Sequence, residues 1–338
     1  MSAANGGFRM RKGRSISVGV SLASTIPVPR LVEGYQLAER RGFDELWIHE
    51  DYFYHGGFAA AAMALQATQR IAVGIGIVSA MVRHPAVTAM EIATLAGAHP
   101  GRLAVGIGHG AVPWMKQLGL QQKSPLRALR EVVTSVDRLL SGEALTQSGI
   151  FSFDAVQLAH PPPHVPLYTG VIGPKSLALS GEIADGTVLG VVAGPKYVER
   201  ARQITADSAA SAGRTGKHAL PTLSYCFIDR DGKRARQAAR RALAQMLADA
   251  GPDLLTTVYD IDDQLRDMIA RGGVAVVEAE MPDEWIDWFA AAGEPERCLE
   301  RIHGLSRAGA TSVVLVLTDP ATTQLSMDLL ADHVLPCA

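Results

Sequence analysis

The sequence predicts an α/β chain folded as a TIM (β/α)8 barrel. Three observations carry this. Eight short apolar runs rich in branched residues recur along the 338 residues, nearly all separated by stretches of helical spacing. The runs are apolar on both faces, as strands buried in a parallel sheet are. Eight βα units in a chain of this length make the barrel. A doubly wound open sheet is the other arrangement of the same units.

The first strand is Ser15–Leu22, after which Pro27 and Pro29 punctuate the chain. Leu31–Arg41 is helical, with Leu31, Tyr35 and Ala38 on one face, and Gly42 stops it. Phe43–His49 is the second strand, Phe58–Thr68 an Ala-rich helix and Ile71–Val78 the third strand. Pro85–Ala96 is a helix opened by proline, where the missing N–H is harmless. Gly101–Ile107 is the fourth strand, followed by a helix over Pro125–Leu140. Glu143–Leu158 is polar, with short extra strands. Val165–Thr169 and Thr187–Val191 are the fifth and sixth strands, and between them lies a turn and short helix, GPKSLALSGEIADG. Pro195–Ala212 is a helix, Leu220–Ile228 the seventh strand and Lys233–Ala250 a strongly periodic helix. Residues 251–292 are an insertion in a late βα loop, with helical fragments at Asp262–Ala270 and Asp283–Ala290. Pro295–Ala308 is a helix, Thr311–Leu317 the eighth strand and Thr323–Asp332 a closing helix. No linker splits the chain, so residues 15–338 are expected as one domain behind a loose polar tail at 1–14.

The charge balance, 32 Lys+Arg against 34 Asp+Glu, gives no long-range attraction to nucleic acid or an anionic membrane. Cys226, Cys298 and Cys337 are far apart, without the paired spacing of a zinc site or a disulfide scaffold. No metal is expected. The N-terminus lacks the apolar core of a signal peptide, which points to a cytoplasmic protein.

In a barrel the chemistry lies at the C-terminal strand ends. That rule turns the strand list into a site list. The densest ionisable cluster on this rim is His49-Glu50-Asp51. His49 and Glu50 are candidate proton donors or ring-positioning groups, or else the cluster is a solvated loop start with a capping or salt-bridging acid. Ser79, Gly108, His109 and Gly170 stand at other strand ends, His109 as a candidate catalytic residue or a rim histidine packed under Trp114, and Ser79, Gly108 and Gly170 as candidate cofactor contacts. Arg83 either holds a carboxylate or phosphate, or pairs with Glu91 or a neighbouring acid. Gly74 and Gly76 weaken the third strand unless a bulge, a close ligand or core packing needs the room. Gly173-Pro174-Lys175-Ser176, a turn into a helix, offers backbone N–H groups, a cation and a hydroxyl to a phosphate. Trp285, Trp288 and Phe289 form one stripe that lines a pocket, a subunit contact or the core.

GFDELWIHED at 42–51, the run at 67–96 containing RHP, GRLAVGIGHG at 101–110 and GPKSLALSGEIADG at 173–186 come in an order and spacing more specific than any one piece. On these the chain resembles the luciferase-like flavin- and deazaflavin-dependent oxidoreductase superfamily, and within it the F420-dependent methylenetetrahydromethanopterin reductase branch. The resemblance implies a homodimeric barrel with coenzyme F420 across the C-terminal mouth and its phosphate at Gly173–Ser176. It implies a non-prolyl cis peptide at Gly76-Ile77 or Ile77-Val78 behind the ring, and a polar ring edge near Glu50. The activity implied is hydride transfer between F420 and a small organic substrate. FMN in the same place, in a monooxygenase, is the nearest rival, and a non-catalytic cofactor-binding barrel a more distant one. The chain departs from F420-dependent sugar-phosphate dehydrogenases in carrying His49-Glu50-Asp51 after strand 2 and no acid at Gly110-Ala111-Val112.

Overall fold

The computed structural model describes residue 8 and residues 14–338. The tail expected at 1–14 lies outside the described residues apart from Phe8 and Arg14. The strands are β1 (Ser17–Leu22), β2 (Glu45–Ile48), β3 (Ala72–Ser79), β4 (Leu103–Gly108), β5 (Leu145–Gln147), β6 (Phe153–Val156), β7 (Leu167–Gly170), β8 (Gly186–Val188), β9 (Pro221–Ile228), β10 (Ala290–Gly293) and β11 (Ser312–Leu317). The helices are α1 (Val28–Arg41), α2 (Gly57–Ala67), α3 (Pro85–Ala98), α4 (Val112–Gln117), α5 (Pro125–Leu140), α6 (Pro174–Ile183) and α7 (Pro195–Ser211). They continue with α8 (Gly232–Ala250), α9 (Leu254–Thr257), α10 (Asp262–Gly272), α11 (Val274–Glu280), α12 (Asp283–Phe289), α13 (Pro295–Ala308) and α14 (Thr323–Leu329).

Nine parallel strands run in the order β10-β9-β11-β1-β2-β3-β4-β7-β8. Parallel bridges Gly186↔Ala219 and Leu189↔Thr222 join the β8 segment to the β9 segment. Backbone bonds Thr187 N–H to Ala219 C=O and Leu189 N–H to Pro221 C=O, at 2.8 and 2.9 Å, reinforce them. They close the eight predicted strands into a ring, with β10 as a ninth strand on the C-terminal half of β9. The fold is the predicted TIM barrel rather than an open sheet.

Two apolar layers hold it. Trp47, Ala104, Tyr168, Val188, Leu223 and Val314 fill the barrel interior. A much larger core lies between the strands and the surrounding helices. Leu31, Tyr35 and Ala38 of α1 are buried as predicted, and Gly42 closes that helix at φ 87°. β5 and β6 form an antiparallel hairpin within the polar stretch before β7. The insertion between β9 and β11 folds as α9–α12 and β10. Trp285 and Phe289 of α12 are core residues, and Trp288 stacks on Tyr259 at 4.5 Å.

The glycines of β3 make room for an indole. An ideal Cβ on Gly74 would lie 2.5 Å from Trp47 Cδ2, and one on Gly76 would lie 2.8 Å from Trp47 Cε3. Core packing is therefore the reason for both.

Candidate functional site

Strand alternation sorts β2 and the residues after it. Glu45 and Trp47 face the barrel interior, whereas Leu46 and Ile48 pack under the helices. The same alternation continues past the strand end. His49 and Asp51 line a cavity of about 370 Å3 at the C-terminal mouth. Glu50, between them, turns outward to the helix layer.

Glu50 is buried and fully engaged. Arg83 donates to both its oxygens, at 2.8 and 2.7 Å, Gly57 N–H donates to Oε2 at 2.8 Å, and Tyr52 Oη donates to Oε1 at 3.2 Å. The Gly57 bond caps the start of α2, which has no other side-chain cap. Arg83 also meets Glu91 through Nε at 3.3 Å and lies over the Phe58 ring at 5.2 Å. The hydrogen bonds it donates to Glu50 hold the guanidinium even more firmly protonated than usual. Of the two readings of Arg83, pairing with neighbouring acids is the one the geometry displays. Burial pushes the Glu91 carboxyl up, with Arg83 opposing.

His49 sits among groups able to follow a proton. Nδ1 faces the carbonyl of Gly76 at 3.3 Å, so Nδ1 carries the hydrogen. Nε2 lies 2.7 Å from Ser21 Oγ, which is also 2.7 Å from the Trp47 carbonyl. With neutral imidazole the Ser21 hydrogen points to Nε2. With imidazolium, Nε2–H donates to Oγ and the hydroxyl turns to the Trp47 carbonyl. Both states are satisfied without moving a heavy atom. The carbonyl under Nδ1 belongs to the Gly76–Ile77 bond, which is cis, at one of the two positions the resemblance implies. A second non-prolyl cis bond, Tyr52–Phe53, lies in the loop after β2.

Ile77, half-buried, packs against the glycines of β4 and β7. An ideal Cβ on Gly106 would be 2.8 Å from its Cγ2, and one on Gly170 would be 2.5 Å away. Gly108 is likewise closed in by Ile77. These glycines, two of them predicted as cofactor contacts, accommodate Ile77. Ser79 donates to Met115 Sδ at 3.3 Å and accepts from Met81 N–H at 3.3 Å. His84 caps α3 and meets the hairpin: Nδ1 accepts from Ala86 N–H at 3.2 Å and Nε2 faces the Ser152 carbonyl at 3.3 Å.

Across the mouth, β7 delivers the chain to α6. Gly173 caps α6 without a side chain, and Pro174 has no N–H. The N–H groups of Lys175 and Ser176 precede the first intrahelical bond, Leu177 N–H to Gly173 C=O at 2.9 Å. Lys175 is exposed and has no ion-pair partner among the described residues, and an ideal Cβ on Gly173 would meet nothing within 4 Å. His109 Nε2, from the end of β4, stands 3.5 Å from Ser176 Oγ, and burial pulls the His109 pKa down. This open, uncapped, singly cationic helix start fits a phosphate. Strand order puts it on the β4–β7 arc of the mouth. The His49–Asp51 cavity takes its walls mainly from the ends of β1, β2, β9 and β11.

The sequence names Asp51 as part of the rim cluster but gives a role only to its neighbours His49 and Glu50, and gives none to Ser24 or Tyr225; all three line the mouth cavity. Ser24 Oγ donates to Asp51 Oδ2 at 2.6 Å. Period-two alternation carried three residues beyond β2 is the signal that finds Asp51. Among the described residues no group of three His, Cys, Asp or Glu side chains could hold a metal ion, and no helix is long and apolar enough to cross a membrane.

A closed parallel barrel with an uncapped, cationic helix start on the same mouth as an ionisable cavity is the architecture of a barrel enzyme able to hold a phosphorylated ligand. The sequence matches the luciferase-like monooxygenase family over residues 11–312, and the chain belongs to that family. It is 31% identical over 311 residues to the 5,10-methylenetetrahydromethanopterin reductase of Archaeoglobus fulgidus, covering 89% of this chain and 93% of that protein. It is 28% identical over 321 residues to the F420-dependent glucose-6-phosphate dehydrogenase of Beutenbergia cavernae, covering 89% and 90%. The structure of the coenzyme F420 dependent tetrahydromethanopterin reductase from Methanopyrus kandleri superposes with a TM-score of 0.82 at 24% identity, over 96% of this chain and 99% of that one. The chain is an oxidoreductase of this family.

Proposed function

We propose that this oxidoreductase uses coenzyme F420, with FMN as the rival, and acts on a small organic substrate at the barrel mouth. The observation that carries the reading is the uncapped start of α6, with Lys175 unpaired among the described residues, on the rim that also holds His49. The F420-dependent relatives support it. When bound, the cofactor would supply or accept hydride. Gly173, Lys175 and Ser176 would hold its phosphate, and His109 would brace that turn. His49 would exchange a proton through Ser21. Glu50 and Arg83 position the loop after β2 and the start of α2.

The test is a fluorescence-quenching titration with F420 and with FMN, on the wild type and on Lys175→Ala. One charge-assisted phosphate contact is worth about 1.5–3 kcal/mol, so the variant loses roughly ten- to a hundredfold in affinity for the true cofactor. Equal F420 binding by the two proteins would refute the cradle. Tight FMN binding without F420 binding would turn the reading to the monooxygenase class.

We also infer a homodimer. Helix α3, PAVTAMEIATLAGA, carries Glu91 as its one charged residue and leaves Val87 and Met90 exposed, as a helix covered by a partner does. Light scattering that gives a monomer mass at micromolar concentration would refute this.

A further inference from the structure

The mouth cavity carries a carboxylate and no fixed cation. Of the residues that line it, Asp51 and His49 are the ionisable groups besides two tyrosines, and no lysine or arginine is among them. Leu22, Val191, Met246 and Val316 supply apolar wall. Asp51 takes one hydrogen bond from Ser24, on Oδ2, and no described residue donates to Oδ1. Tyr225, pushed up to about 12 by burial and then by the Asp51 charge, stays a neutral hydrogen-bond donor. At about 370 Å3 the space is at the small end of ligand pockets, which run from roughly 300 to 1,000 Å3.

With His49 in its neutral form, a phosphate or carboxylate entering here would meet Asp51 with no lysine or arginine on the wall to offset it. Like charges a few ångströms apart repel, and the repulsion grows where apolar walls exclude water. An ammonium or hydroxyl group finds in Oδ1 an acceptor without a donor. Resting on the oxidoreductase reading above, we infer that the substrate of this site is a small, uncharged or cationic organic molecule that donates a hydrogen bond to Asp51, and that phosphate esters and carboxylates are refused. This separates the chain from its sugar-phosphate dehydrogenase relatives by the chemistry of the cavity wall.

The experiment uses probes of one shape and different charge. Cyclohexylamine, cyclohexanol and cyclohexanecarboxylate, together with glucose 6-phosphate, are titrated into the full chain by ligand-observed NMR, on the wild type, Asp51→Asn and Ser24→Ala. The amine should bind the wild type at least about tenfold more tightly than the carboxylate, with no binding of the sugar phosphate. Asp51→Asn should bring amine and carboxylate to within about twofold, and Ser24→Ala, which keeps the charge, should retain the preference. Thermal melts verify that both variants are folded. Equal binding of amine and carboxylate by the wild type overturns the inference, as does a preference that survives Asp51→Asn or no binding of any probe. A parallel F420 titration separates this from the cofactor reading. Failure of the wild type to bind F420 defeats that reading and leaves the charge preference measurable. An Asp51→Asn protein that loses F420 while keeping the amine preference moves Asp51 out of the substrate site and defeats the inference alone.

Discussion

Replacing Arg83 with methionine isolates the role of Glu50. The carboxylate side chain is 2% exposed and the guanidinium side chain 21%, so the pair is largely shielded from water. Arg83→Met removes two of the four hydrogen bonds on Glu50 and leaves a buried carboxylate with Gly57 N–H and Tyr52 Oη alone. Breaking a buried pair by removing one partner costs about 3–5 kcal/mol, and the partial exposure of Arg83 puts this case at about 3 kcal/mol. With an unfolding entropy of about 2.1 cal/mol/K per residue over 338 residues, that is a fall in Tm of about 4 °C. Differential scanning calorimetry on Arg83→Met, Glu50→Gln and the double variant gives the coupling. The double variant should be less destabilised than the sum of the singles by about 1.5 kcal/mol or more. At temperatures well below the transition, Glu50→Gln should change kcat/KM by less than about threefold, since its oxygens are committed to protein donors. A Tm loss for Arg83→Met below about 1 °C, or strict additivity, would refute the claim that the pair anchors this loop. A large kcat loss in Glu50→Gln would return Glu50 to the chemistry.

Two further outcomes follow from packing and burial. His218 accepts or donates at Thr187 Oγ1, 2.8 Å away, and burial, with Arg214 nearby, lowers its pKa to about 4. An unfolded histidine titrates near 6.5, so between these values the unfolded chain binds a proton the folded chain does not, and stability falls on acidification through that window, by about 3 kcal/mol as an order of magnitude. Urea midpoints of His218→Gln measured between pH 6.5 and 4 should fall less steeply than those of the wild type; parallel curves would count against it. Gly74→Ala forces a methyl against the buried Trp47 ring and should destabilise by about 1–3 kcal/mol, whereas Gly97→Ala in α3, where a Cβ meets nothing within 4 Å, should be neutral or stabilise by up to about 1 kcal/mol. Urea melts check the pair, and equal effects would show that Trp47 is not the reason for the glycine.

Most of the ring was legible because buried parallel strands and proline-opened helices leave local marks. Pro125–Leu140 and Pro295–Ala308 begin at a proline and end at a turn, and both coincide with α5 and α13. β10 was not legible. Ala290-Ala291-Ala292-Gly293 carries no branched or aromatic residue, and it shows as a strand only through its pairing with Tyr225–Ile228 of β9. α4 was missed as well, since Val112–Gln117 makes less than two turns and has no period to read. The sixth strand was read as Thr187–Val191, but the ladder is Gly186–Val188 and the rest of the pairing is bridges. Within the candidate site the sequence located the rim but not the direction in which each side chain faces. Glu50 and Asp51 are neighbours of one chemical kind, and only the handoff of alternation from β2 into the loop sends one to Arg83 and the other to the mouth.

The same alternation explains why a cavity larger than the one at the mouth is not the reactive one. A cavity of about 480 Å3 opens at the other end of the barrel, against Glu45, Trp47, Tyr168, Lys217 and Ser312. Its buried carboxyl is satisfied, for Ser17 Oγ and Trp47 Nε1 each donate to Glu45 at 2.7 Å, and burial raises its pKa. Trp47 is the partition. Its ring stacks on Tyr168 at 6.3 Å and 17° and occupies the room left by Gly74 and Gly76. Two residues before it Glu45 faces the floor, and two residues after it His49 faces the mouth. Every barrel strand runs from the first space to the second, so the loops that carry Asp51, Lys175 and His109 all converge at the mouth. An occupant of the floor would press on the underside of an indole and meet none of them. Strand direction, rather than cavity size, therefore decides where this barrel does its chemistry.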